Sequence, residues 1–201
     1  MKVEGRVGRI VAEDGSLNPL RLTKDGALAV SNVGGKYAEA ALAGRLFCAA
    51  MQTPTTTSTT LNTTFVGLGL CNPANSGKLL VIHEFSYAAT AALTAETLLA
   101  LATTTATGFA ADITPRCCRN GFASSVAIVD KEATIDAPVI ERIIATLGQG
   151  ADTTQLGGRP PNVVQLEGSI ILAPGRAVVT DTTVATGAVM QFGYLLEEID
   201  I

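Results

Sequence analysis

From residue 37 onward one pattern recurs in the chain: short runs of alternating apolar residues, each cut off by a cluster of Gly, Pro, Asn, Asp or Thr. "GRLFCAA" is followed by "VGLGL", "KLLVIHEFSYA", "AETLLALATTT", "SSVAIVD", "APVIERIIATLG", "GSIILAPGRAVVTDT" and "GAVMQFGYLLEEIDI". Alternation with period two buries one face of an extended chain, so about eight such segments at this spacing call for sheet packed on sheet. The expected fold is all-β, an antiparallel β-sandwich or jelly roll. A chain of 201 residues is long enough to bury about 70% of its unfolded surface without disulfides or metals to staple it. With 4% aromatics and no Trp, that core is built from Ala, Val, Leu and Ile.

Two segments pull toward helix. "DAPVIERIIATLG" offers Asp136 as an N-cap, Pro138 in a first turn, Val139, Ile140, Ile143, Ile144 and Leu147 on one side, and Gly148 as a stop. Its β-branched content favours a strand, which is the expectation here. In "AATAALTAETLLALAT" Ala and Leu favour helix while the flanking Thr clusters favour strand.

Residues 1–36 form their own unit, with two or three short alternating runs split by the turn signals "EDGS" and "KDG". They read as an N-terminal β-hairpin arm, too poor in large apolar residues to hold a core alone, ahead of a sandwich domain over residues 37–201. Six basic and four acidic side chains give the arm a charge of +2, whereas eight basic and fourteen acidic leave the rest at −6. A total of −4 with no basic cluster argues against nucleic acid as a specific partner. No run of apolar residues reaches the length of a membrane span and the N-terminus lacks a signal-peptide core, so the expectation is a soluble protein with reduced cysteines.

Motifs for chemistry are sparse. In "CNPANSGKLLVIHEF" the pair Gly77–Lys78 suggests a phosphate loop, but Asn72 stands where the first Gly belongs, Leu79 replaces the hydroxyl residue, and a strand follows instead of a helix. Asn72, Pro73, Asn75, Ser76 and Gly77 are turn formers. His83, the single histidine, alternates with Val81, Phe85 and Tyr87 and reads as a packed residue rather than a base. The pairs Glu13–Asp14 and Glu197–Glu198 read as solvated charges, because neighbours on a strand face opposite ways. A zinc site would require Cys71 and His83 to meet the vicinal Cys117 and Cys118, and an anion clamp would use Arg116 and Arg119. The Thr-rich stretch 53–64 reads as an exposed extended segment. No cofactor is expected and no enzyme, since titratable groups are few and scattered.

The order of pieces resembles virion structural proteins of tailed bacteriophages. The likeness runs from "DGSLNPLRLTKDGALAVS" through "GKYAEAALAGRLFCAA", "LCNPANSGKLLVIHEF" and "LEGSIILAPGRAVV" to "FGYLLEEIDI". Its most telling residues are Asn72, Pro73, Ser76 and Gly77 before one strand, and Pro174 and Gly175 before another. The resemblance implies a jelly-roll-like domain that decorates or cements the capsid, with the major capsid protein and its own copies, a trimer, as partners. It places the chain on the capsid surface of the virion and in the host cytoplasm during assembly. The arm then supplies an assembly interface through Arg6, Arg9, Ile10, Arg21, Leu22 and Tyr37. Alternative readings are a head-fibre, neck or tail component, and a small β-sandwich carbohydrate-binding module or enzyme.

Overall fold

The computed structural model describes residues 35–57, 67–91, 93, 95–131, 135, 137–148, 162–187 and 189–201. The chain divides into two compact units, Met1–Ala38 and Glu39–Ile201. The expected hairpin arm, with Arg6, Arg9, Ile10, Arg21 and Leu22, lies outside the described residues.

One short helix, α1 (Ala38–Leu42), precedes the strands. It is not among the elements expected from sequence, although "AEAAL" is a strong helix former and Gly44 is its stop. Gly44 ends it in a Schellman turn: its φ is +71°, its N–H donates to the Ala41 carbonyl at 3.0 Å, and the Arg45 N–H donates to Ala40 at 2.9 Å.

Ten strands follow among the described residues: β1 (Leu46–Ala50), β2 (Gly69–Cys71), β3 (Lys78–Ala89), β4 (Thr97–Thr105), β5 (Arg116–Cys117), β6 (Ile128–Asp130), β7 (Val139–Leu147), β8 (Asn162–Leu172), β9 (Arg176–Thr182) and β10 (Met190–Asp200). Both segments with helical leanings are strands, β4 and β7. One sheet runs β5-β1-β10-β3-β8 and the other β6-β2-β9-β4-β7, with every pairing antiparallel. Leaving aside the short flanking β5 and β6, the order is β1-β10-β3-β8 against β2-β9-β4-β7. That is the order of a jelly roll, in which the chain changes sheets at nearly every connection.

Between the sheets lie Phe47, Leu70, Leu80, Ile82, Leu99, Leu101, Val129, Leu172, Val178 and Leu196, all essentially solvent-free. The scarce aromatics gather on β3 and β10, where Phe85 stands with its ring centroid 5.9 Å from Phe192 and 5.3 Å from Tyr194. A smaller cluster of Ala102, Ile135 and Val179, with Phe109 and Ile140 against it, covers part of the opposite face of the β9–β4 sheet.

The two turns singled out by sequence interlock. The Asn72 amide donates to the carbonyls of Lys78 and Leu172, both at 2.8 Å, and the Gly175 N–H donates to the Asn72 carbonyl at 2.9 Å. Gly77 (φ +65°) and Gly175 (φ +82°) take the left-handed backbone that such tight turns demand. The "NPANSGK" stretch is therefore a pinned strand connection.

Candidate assembly surface

Strict alternation would put His83 on the Phe85 face, and the structure corrects this. Register with β10 slips between Leu195 and Leu196, so that Glu84 faces Leu195 and Ile82 faces Leu196. His83 is the extra residue of a β-bulge. The slip lets Leu80, Ile82, Phe85 and Tyr87 all reach the core, and leaves the His83 ring with Nε2 3.1 Å from Glu197. Glu197 also takes an ion pair from Arg45 at 3.2 Å.

Glu197 and Glu198 face opposite ways as a strand requires, yet they are not solvated charges. Glu198 follows the core-facing series Phe192, Tyr194 and Leu196, and is 1% exposed. One carboxylate oxygen accepts from the Ser125 hydroxyl at 2.6 Å and the Val126 N–H at 2.8 Å, and the other from Lys78 at 2.9 Å. This carboxylate ties β10 and β3 to the approach of β6. The Thr-rich stretch also departs from expectation. Thr55 and Thr57 are buried, and Thr57 accepts from the Thr182 hydroxyl at 2.6 Å; residues 58–64 lie outside the described residues.

The groups considered for metal binding do not converge. Cys71 is buried in β2, and burial pushes its thiol up to about 11. His83 is bound to Glu197 in the other sheet, and among the described residues no three His, Cys, Asp or Glu side chains are placed to hold a metal ion. Arg116 is exposed in β5, whereas Arg119 donates to the Leu42 carbonyl at 2.8 Å and lies 4.1 Å over the Phe122 ring. Arg119 is thus engaged by α1 and its own loop, while Arg116 is exposed on β5. Tyr37 is half-buried beside Lys36, whose ammonium lies 5.1 Å from the ring centre. Among the described residues a shallow hollow of about 150 Å³ is lined by Ala50, Met51, Ser86, Tyr87, Gln191 and Phe192, below the size usual for a small-molecule site.

The two flanks of the sandwich differ. On one, the sheets end in β5 and β6, two and three residues long, and their loops are clamped to the body. On the other they end in β7 and β8, nine and eleven residues long, each paired along one side only among the described residues. This flank displays β-branched apolar side chains: Val139 is 62% exposed, Ile143 64%, Val163 50% and Ile171 54%. Irregular pairing guards the edges, since β7 slips register twice against β4, and β8 bulges at Glu167 (φ +50°) and Gly168 (φ +79°). Side-chain contact is offered there more readily than an added strand.

No protein-family model, no curated protein and no solved structure matches the chain. Among the described residues no helix is long and apolar enough to cross a membrane.

Proposed function

We propose that the chain is a non-enzymatic structural protein of a tailed-phage virion, decorating or cementing the capsid through the major capsid protein and its own copies, with a trimer as the assembled unit. The observation that carries the reading is the asymmetry of the flanks: one closed by short, clamped strands, the other presenting two long edges with Val139, Ile143, Val163 and Ile171 in solvent. Exposed β-branched side chains on sheet edges are costly for a lone particle and useful for a lattice component. The jelly-roll order and the order of sequence pieces support the same reading.

Copy number in purified particles, set against the major coat protein by quantitative mass spectrometry, tests it. A simple fraction of the coat copies supports decoration at repeated lattice sites. A dozen copies or fewer moves the chain to neck, tail or fibre, and absence from the particle overturns the virion reading. Removing residues 1–33 is expected to leave a folded sandwich that no longer binds heads, and unchanged head binding would remove the arm from the interface.

A further inference from the structure

The vicinal cysteines separate by alternation. In the pairing of β1 with β5, Phe47 faces Cys117 and Cys48 faces Arg116, and the pairing extends one step further through the Cys118 N–H, which donates to the Leu46 carbonyl at 2.8 Å. Cys117 consequently packs against the core, while Cys48 and Cys118 lie on the outer face as exposed, diagonal neighbours. Their sulfurs stand 3.0 Å apart although the residues are 70 positions apart in the chain. Both thiols are free, and closing the remaining gap to a covalent bond of about 2.05 Å requires only a small movement at the short edge strand.

We propose that Cys48 and Cys118 are a dithiol modification site, closed to a reversible disulfide by exchange with a low-molecular-weight disulfide. The Cys48 thiolate attacks one sulfur of the small disulfide, whose S–S bond breaks and releases one thiolate. Cys118 yields its proton to that thiolate and attacks the Cys48 sulfur, expelling the second half. The protein loses two electrons, the small disulfide gains them, and both thiol protons end on the two released thiols. Partial burial, then the hydrogen bond and charge of neighbouring Cys48, and lastly Cys117, push the Cys118 thiol up to about 12, so Cys118 stays protonated while Cys48 makes the first attack. A bond at this place would fasten β1 to the chain beyond β5 and close a long loop of the unfolded chain. The site stands on geometry alone and does not depend on the assembly reading.

The test treats the reduced, full-length protein with oxidised glutathione, blocks remaining thiols by alkylation, and reads intact mass and linked peptides. The expected product is a monomer two hydrogens lighter apart from any alkyl groups on Cys71 and Cys117, with Cys48 joined to Cys118 and a raised urea midpoint that returns on reduction. C48S and C118S should each abolish the bridge, C118S retaining a stable glutathione adduct at Cys48, while C117S leaves it intact. A Cys117–Cys118 link, a disulfide between two copies, or a glutathione adduct that persists in the unaltered protein would each overturn the proposal.

Discussion

The flank of β5 and β6 and the flank of β7 and β8 finish the same sandwich in opposite ways. The first is held by specific polar and shape contacts: Glu198 on Ser125 and Val126, Arg119 on Leu42, and the Phe122 ring against the bare Cα of Gly44. The second is held by backbone register and by the inward side chains of β7 and β8, with its outward apolar groups unspent. The comparison teaches that the flanks differ in where their exposed apolar groups sit: Leu42 and Phe122 are exposed at the end of α1 and in the loop after β5, both held by Arg119, whereas Val139, Ile143, Val163 and Ile171 are exposed along two long strands.

The largest effect is expected where the locked flank meets the core. Glu198→Ala strands the Ser125 hydroxyl and the Val126 N–H and should cost about 3 kcal/mol in urea unfolding, whereas Glu197→Ala on the outer face should cost under about 1 kcal/mol. Equal losses would mean that the buried carboxylate is not what ties β6 to β10. Next comes the glycine seat. Gly44→Ala puts a methyl where the Phe122 ring lies and forces a positive φ, so it should cost about 2 kcal/mol. Gly121→Ala, with φ +73° and open space around it, isolates the backbone share at about 1 kcal/mol.

A smaller change, of opposite sign, is expected within the core between the flanks. Tyr194 is buried and its hydroxyl makes no hydrogen bond among the described residues, so Tyr194→Phe should be neutral or stabilise by up to about 1 kcal/mol. Burial also pushes its phenol well above the ordinary tyrosine range, starting from 10.0. The unfolded chain then releases this proton first, so stability is full below pH 10.0 and falls as pH rises above it. Cys71, moved from 9.0 to about 11, adds a decline that begins near pH 9.0. In an alkaline denaturation series Tyr194→Phe should flatten the steeper part; an unchanged curve would place the titration elsewhere.

The smallest effect on stability belongs to the open flank. Ile143→Lys should shift unfolding by no more than about 0.5 kcal/mol. On the proposed assembly reading, the same substitution should weaken self-association in sedimentation or head binding. If it unfolds the protein instead, the flank is part of the core and the contrast fails.

Legibility in the sequence followed the range of the interactions. The turns at Asn72–Gly77 and Pro174–Gly175 were readable because positive φ and side-chain caps are local demands, and the strands because alternation is local too. The His83 bulge was not, since nothing within β3 marks where the register to β10 must slip. Glu198 looked like a terminal charge because its hydroxyl and amide partners, Ser125 and Val126, lie more than seventy residues earlier. In β7, Val139 and Ile143 had the look of a buried face, but only the strand order reveals that no strand among the described residues lies beyond them. The pairing of Cys48 with Cys118 is likewise a product of topology and not of spacing.

That topology has a kinetic consequence. The tenth strand sits in the middle of its sheet, between the first and the third. Until β10 is available, β1 and β3 have no common neighbour, and Phe85 lacks the Phe192 and Tyr194 rings that complete its packing. Closure must therefore wait for contacts between distant parts of the chain, which makes folding slow. A chain halted before Met190 would hold its first sheet in two pieces, β5-β1 and β3-β8, against a second sheet whose five strands are all present.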